Sequence, residues 1–208
     1  VRALLSAELP TAWSSSVSLP EQLSGAGFAT AFFCANPYLR PNFDMDRGWS
    51  RYRFELMAPA KTQVDQALGW LESHPDRDAA VMVQFMDPHM PYSEPKAYRS
   101  LWAPDKPAAF HGTIGPDSLK ALDPTSPDHP AIQEWVVARY DQNLRYVDDQ
   151  VQRLIEAAGE DAVVVFFSDH GEEFWDHGGV EHGHSVYEEL LAVPLVIKAP
   201  GLPSGHVQ

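Results

Sequence analysis

Three largely apolar runs limit what this chain can fold into. They are FATAFFC at residues 28–34, AAVMVQFM at 79–86 and AVVVFF at 162–167. They lack the apolar–polar alternation of a strand with one face in water. Continuous apolar strands are typical of sheets covered on both faces, and such sheets are mostly parallel. Because helical patterns separate the runs, the sequence predicts an α/β fold with a mostly parallel central sheet and helices on both faces.

The segments between these runs carry helix signals. LPEQLSGAG, residues 19–27, has a proline suited to a first helical turn and glycines suited to a helix stop. Residues 61–73 are amphipathic, and 131–158 place apolar side chains at intervals near 3.6 until Gly159. The sequence therefore predicts a helix before each of the three strands.

The remaining segments are a late strand and a long loop. VPLVIKA, from residue 193, is a last strand candidate. Residues 88–130 are punctuated by proline, glycine, serine and aspartate, which predicts an irregular surface segment with little regular structure. Nothing compels a domain boundary, so we expect one domain over residues 1–208.

Charge and composition exclude some classes of partner. The chain has 15 Lys+Arg against 29 Asp+Glu, a formal net charge of −14, which argues against nucleic acid or an anionic membrane as the main partner. No run approaches the roughly 18 consecutive apolar residues of a membrane span. The single cysteine, Cys34, does not indicate the redox compartment and is expected to be a buried small hydrophobe.

Titratable residues are concentrated between residues 162 and 201, where four of the nine histidines lie. Asp169 and His170 directly follow an apolar strand, and ligands of open parallel sheets bind beyond the carboxyl ends of strands. One carboxylate and one imidazole on such a turn can face the same metal ion. The spacing alone equally fits a capping or turn element. His182 and His184, in a glycine-rich loop before the next strand, favour the metal interpretation.

Four segments carry distinctive motifs: ANPYLRPNFDMDRGWSRY, FMDPHMPYSEP, YDQNLRYVDDQVQRLIEA and FFSDHGEEFWDHGGVEHGHSVYEELLAVPLVIKAPG. In this order they resemble the sulfatase branch of the alkaline phosphatase superfamily. The resemblance extends from about Val17 to Gly201 and implies an alkaline-phosphatase-like sandwich, present here in part.

The resemblance also implies roles for particular residues. Asp169 and His170 match ligands of one divalent metal ion, most commonly calcium in the family; His170 makes manganese or zinc alternatives. His89 matches a substrate-binding histidine that contacts sulfate or phosphate oxygens, although a loop histidine bonded to backbone is the simpler interpretation. His182 or His184 matches the second cationic, catalytic group. Spacing does not decide between them, but His182 gives the better match to related His-Gly patterns.

The other charged residues of this stretch receive structural interpretations. His177 is expected to be a structural loop residue. Glu172, Glu173 and Glu181 are expected to be solvated loop charges, although one of them could orient a histidine.

The nucleophile is the main departure from the family pattern. Sulfatases use a formylglycine made from Cys/Ser-x-Pro-x-Arg, which Cys34 fails to match and Ser73 matches only in a polar connector typical of a solvated turn. The opening Val1-Arg2 resembles the end of a family His-Gly-Val-Arg passage. We therefore expect the formylglycine upstream of Val1, a chain truncated at both ends, and a fragment inactive by itself.

The sequence supports metal-dependent hydrolysis of a sulfate ester, on a small molecule or a glycan. Two alternatives stay open: a phosphoester or phosphonate hydrolase, or a phosphoethanolamine transferase, of the same superfamily; and a degenerate relative without catalysis. Family analogy allows a periplasmic or secreted location, and the sequence does not fix one.

Overall fold

A computed structural model describes residues 17–102 and 104–205 of the chain. Val1 and Arg2, which contribute to the expectation of truncation, lie outside the described residues. The chain divides into two compact units, Val1–Pro88 and His89–Gln208, which we describe separately. The single domain expected from the sequence stays a prediction.

The first unit is built on a parallel three-stranded sheet. Helix α1 (Leu19–Gly25) leads into β1 (Ala29–Cys34), and α2 (Ala60–Glu72) joins β2 (Arg51–Phe54) to β3 (Ala79–Gln84). Strand β1 pairs in parallel with both others, giving the order β2-β1-β3. This confirms the α/β class with a parallel sheet. Two 3₁₀ turns separate β1 from β2: Pro37–Leu39 and Pro41–Phe43.

The ends of α1 follow from local chemistry. The Ser18 hydroxyl accepts from the Glu21 amide at 3.3 Å, and the Glu21 carboxylate accepts from the Ser18 amide at 2.7 Å, which forms a capping box. Pro20 occupies the first turn, and Gly27 takes a φ of 95° after the helix. The helix start and stop were therefore readable from sequence.

Strand β1 forms the centre of this unit. All six of its residues are buried, and Phe32 packs against Tyr52 and Trp49 with ring centroids 5.4 and 5.3 Å apart. Cys34 is buried as expected, and burial raises the pKa of its thiol to about 11. Strand β3 was predicted to be buried on both faces but is half-buried along its length.

The second unit combines a 30-residue helix with short strands. The helix, α4 (His129–Ala158), matches the predicted 131–158 and ends at Gly159. None of the helices within 17–102 and 104–205 is long and apolar enough to cross a membrane. The other elements are α3 (Pro116–Lys120), β4 (Val164–Phe167), β5 (Glu173–Phe174), β6 (Val180–Glu181), α5 (Glu188–Leu191) and β7 (Leu195–Lys198).

The segment from 88 to 130 is irregular, as predicted, but it does not lie only on the surface. Helix α3 is its one helix among the described residues. The segment nevertheless contributes five buried side chains to a core completed by α4 and β6. Those five are Met90, Tyr92, Phe110, Ile114 and Leu119. The prediction failed here because apolar residues spaced irregularly carry no periodic signal.

Strand β4 differs from its predicted environment. It was expected to be a central strand covered on both faces, yet within the described residues it pairs with β7 alone, and the pair is antiparallel. Val165 is 52% exposed and Leu195 is 64% exposed. An apolar run shows that the side chains of a strand are hydrophobic. Whether they are buried depends on which other elements pack against the strand.

Candidate active site

The turn after β4 places Asp169 and His170 side by side. Asp169 Oδ1 and His170 Nε2 are 3.8 Å apart. His170 Nδ1 lies 2.8 Å from the Gly171 carbonyl oxygen, so Nδ1–H donates there and the Nε2 lone pair stays available. The Ser168 hydroxyl donates to the His170 carbonyl oxygen at 2.6 Å, which fixes the turn.

Glycine is required immediately after His170. The Gly171 amide donates to the Leu190 carbonyl oxygen at 2.9 Å. A Cβ at residue 171 would lie 2.0 Å from the Glu189 carbonyl oxygen, which is far inside van der Waals contact. The β4 turn can therefore approach the backbone of α5 only because residue 171 has no side chain.

Three histidines from separate segments converge at this turn. The rings of His170 and His182 stack, with centroids 3.9 Å apart and planes 28° from parallel. The ring of His89 meets His182 edge to face, with centroids 5.0 Å apart. The structure thus brings together three candidate site residues. The first and the last of them, His89 and His182, are 93 positions apart in the sequence.

Glu172 fixes the orientation of His182. His182 Nδ1 lies 2.9 Å from Glu172 Oε1, and the Tyr92 hydroxyl donates to Glu172 Oε2 at 2.9 Å. The Glu172 side chain is only 5% exposed, so the expectation of a solvated loop charge was wrong for this residue. Because Nδ1 is engaged, His182 Nε2 is the nitrogen left for a ligand.

The surroundings of His182 and Tyr92, which both contact Glu172, raise the pKa of each side chain. The hydrogen bond that His182 donates to the Glu172 carboxylate raises the pKa of His182 above its ordinary value. The carboxylates of Glu181 and Asp169 raise it further, although burial opposes them. Burial raises the pKa of Tyr92, and the Glu172 charge raises it further. Tyr92 is therefore held as a neutral hydrogen-bond donor.

The His184 side chain contacts Glu173 rather than Glu172. Its Nε2 lies 2.7 Å from Glu173 Oε2, and the Glu173 side chain is 1% exposed. Glu173 Oε1 accepts from the backbone amides of His177 and Gly179, at 3.1 and 2.7 Å. Glu173 was also wrongly expected to be solvated; it closes the hairpin of β5 and β6.

A second His/Glu group lies beside that hairpin. Among the described residues, Glu173, His177 and Glu189 place ligand atoms within 4.8 Å of one another, close enough to hold a metal ion. His177 Nδ1 is 2.6 Å from Glu189 Oε1, and its ring stacks on Tyr187 at 3.7 Å. His177 thus has hydrogen-bonding and stacking partners, and its interpretation as a structural loop residue stays a prediction.

The pair Asp169 and His170 fits part of a coordination sphere. One carboxylate oxygen and one imidazole nitrogen, 3.8 Å apart, suit a divalent cation that accepts mixed oxygen and nitrogen ligands. The carbonyl bonded to His170 Nδ1 is the outer partner that metal-binding histidines commonly have. A complete site needs further ligands.

Comparisons with known proteins decide the family. A family model described as Sulfatase matches residues 6–207. The chain belongs to the sulfatase family. It is 27% identical over 143 residues to the uncharacterized sulfatase YidJ of Escherichia coli, covering 60% of this chain and 27% of that protein. It is 25% identical over 195 residues to the ulvan-active sulfatase of Formosa agariphila, and the match covers 88% of this chain and 35% of that protein.

A solved structure gives the same fold. The lipoteichoic acid synthase LtaP of Listeria monocytogenes superposes with a TM-score of 0.55 at 15% identity, covering 91% of this chain and 47% of that one. This likeness shows the fold alone. The chain spans about a third of the length of the two curated sulfatases named above.

Sequence reasoning missed the groups that hold the sulfatase histidines in place. Tyr92 lies 80 residues from Glu172, a distance across which no local pattern connects them. Glu94, whose side chain is fully buried, forms ion pairs with Arg139 at 2.8 Å and Arg99 at 3.3 Å. The pair with Arg139 holds the 89–94 segment against α4. The tyrosine and the glutamate of PYSEP, residues 91–95, were the available signal in the sequence.

Proposed function

We propose that this protein is a metal-dependent hydrolase that cleaves a sulfate ester. The observation that carries the proposal is the convergence of His89, His170 and His182 beside Asp169, in a chain that belongs to the sulfatase family. A chain of net charge −14 repels a sulfate ester overall, so binding requires local positive groups.

The proposed roles follow from which atoms are free. Asp169 and His170 hold the divalent cation, which supplies neutralisation of developing negative charge. His170 Nε2 is available because Nδ1 is bonded to a backbone carbonyl. His89 Nδ1 lies 2.8 Å from the Met90 carbonyl oxygen, which likewise leaves its Nε2 for an oxyanion.

His182 is the catalytic histidine of the proposal. Glu172 orients its ring through Nδ1, and Nε2 donates a hydrogen bond or a proton to the ester oxygen. Glu172 and Tyr92 act through His182, so they are positioning residues. The formylglycine nucleophile stays a prediction from the family resemblance and is assigned to no residue here.

Among substrates, the name of one relative supports a sulfated glycan, since the Formosa agariphila protein is described as an ulvan-active sulfatase. Calcium, manganese and zinc remain the candidate metals. The presence of an imidazole in the donor set favours manganese or zinc.

The test uses the complete natural protein that contains this chain. It is assayed with an aryl sulfate, an aryl phosphate monoester and an aryl phosphodiester, before and after treatment with a chelator. We expect the sulfate to be hydrolysed best, activity to be lost on chelation, and one of the three metals to restore it. A preference for either phosphate ester would replace the proposal by the phosphoester alternative, and inactivity toward all three with metal present would support a non-catalytic relative.

A further inference from the structure

A second concave site lies in the first unit, among residues that have no part in the proposed hydrolysis. It is a cavity of about 580 Å³ formed by β1, β2, α2 and the segment after α2. Small-ligand pockets commonly have volumes of about 300–1,000 Å³. The cavity is therefore large enough for an organic ligand rather than a lone ion.

The strand side of the cavity supplies two guanidinium groups. Arg51 and Arg53 are two residues apart on β2, so their side chains share one face of the sheet. Phe33 is in register with Arg53 on the neighbouring strand and lines the same cavity. Strand β2 is at the edge of the described sheet, which leaves this face open at one side.

The helix side supplies aromatic rings and a third guanidinium. Trp70 and His74 have ring centroids 4.4 Å apart at an angle of 31°, and both line the cavity with Arg77. Arg77 Nη2 donates to the Gly27 carbonyl oxygen at 2.9 Å. That carbonyl fixes the guanidinium but does not neutralise it.

The balance of charge at the cavity is positive. Glu55 pairs with Arg53 at 3.3 Å and also accepts from Gln66 at 3.1 Å, so one guanidinium is matched. Arg51 has no hydrogen bond or ion pair within 17–102 and 104–205, and Arg77 has only its neutral carbonyl partner there. In a chain with 29 acidic and 15 basic residues, two arginines without a carboxylate at one cavity indicate an anionic ligand.

We propose that this cavity binds a sulfated saccharide. Arginine forks match the paired oxygens of a sulfate group, and the half-buried Trp70 ring offers apolar surface to the face of a sugar. A free sulfate ion would use the arginines but leave the rings and most of the volume unused. The proposal does not depend on the hydrolytic function, because it concerns residues of the first unit only.

Calorimetric titration of the protein with a heparin-derived tetrasaccharide tests the proposal. The same measurement is made with the desulfated tetrasaccharide and with inorganic sulfate. Arg51→Gln removes an exposed side chain, so the fold is preserved, and we expect affinity for the sulfated tetrasaccharide to fall about tenfold. Trp70→Phe keeps an aromatic ring and is expected to cost less than Arg51→Gln.

Arg145→Gln is the matched control, because Arg145 is an arginine of α4 paired with Asp148 and Asp149 and lies outside the cavity. It changes the net charge by the same amount and should alter affinity less than twofold. Turnover of a small aryl sulfate should be unchanged in Arg51→Gln, which separates this site from the catalytic one. Equal losses in Arg51→Gln and Arg145→Gln, or equal affinity for inorganic sulfate and the sulfated tetrasaccharide, would overturn the proposal.

Discussion

Glu172 and Glu173 are adjacent in the sequence, and each binds one histidine of the 182–184 segment. Glu172 contacts His182 at 2.9 Å and Glu173 contacts His184 at 2.7 Å. His182 stacks on His170. Glu173, in contrast, also accepts hydrogen bonds from two backbone amides and so closes a hairpin. Similar side-chain pairs can therefore lie in a cluster of histidines or close a turn, and the other residues around each pair determine which.

The largest expected effect is on activity, at His182. His182→Ala removes the imidazole between His170 and His89, and under the proposed function kcat for an aryl sulfate should fall about 10²–10⁴-fold. His184→Ala is the control and should lower kcat less than tenfold, because His184 faces Glu173. Steady-state assays of both variants measure the difference in kcat, and melting curves confirm that both fold. Equal losses of kcat would remove the distinction between the Glu172–His182 and Glu173–His184 pairs.

The next effect is on stability, at Glu173. Glu173→Ala leaves the amides of His177 and Gly179 without their acceptor, so the free energy of unfolding should fall by about 3 kcal/mol. Glu172→Ala breaks side-chain contacts only and should cost about half as much. Urea denaturation of both variants tests this ranking, which fails if Glu172→Ala is the more destabilising change.

The smallest expected effect is a pH dependence of stability from Glu173. Burial by itself raises the pKa of Glu173, but hydrogen bonds from His184 and from the Gly179 and His177 amides outweigh it and hold the pKa below its ordinary value of 4.5. The unfolded carboxylate therefore takes up its proton first as the pH falls. This contribution to stability is present above about pH 4.5 and is lost as the pH falls through the folded-state pKa.

Urea denaturation at several pH values between about 3 and 6 measures that contribution. The difference in unfolding free energy between the unsubstituted protein and Glu173→Gln should shrink toward the acid end. Glu172→Gln serves as the matched change at the neighbouring residue. A constant difference between the unsubstituted protein and Glu173→Gln across this range would contradict the assignment.

Local patterns predicted the elements that have a strong local cause. The strands at 28–34 and 79–86 and the helix at 131–158 were placed within two residues of their observed ends, because continuous apolar runs and a 3.6 period are local properties. Strand β2 (Arg51–Phe54) was missed, although RYRF alternates arginine with aromatic residues as a sheet-edge strand does, because four residues give only a short period.

The residues of the candidate site could be named from the sequence, but their arrangement could not. Asp169 and His170 follow a strand, which made them visible. The site assignment stays a prediction, and the proposed preference for His182 over His184 now also uses the positions of Glu172 and Glu173. The burial of Glu172 depends on Tyr92, a residue far away in the chain. Tertiary contacts of this kind leave no periodic trace in a sequence.

The ribbon of β4 and β7 affects how the chain behaves in water. Six of its apolar side chains are exposed: Val165, Phe166, Phe167, Leu195, Val196 and Ile197. Exposed apolar surface of this kind favours self-association. Salting-out agents such as ammonium sulfate strengthen that tendency. Dilute solutions of low ionic strength are accordingly the favourable conditions for keeping this 208-residue chain dispersed.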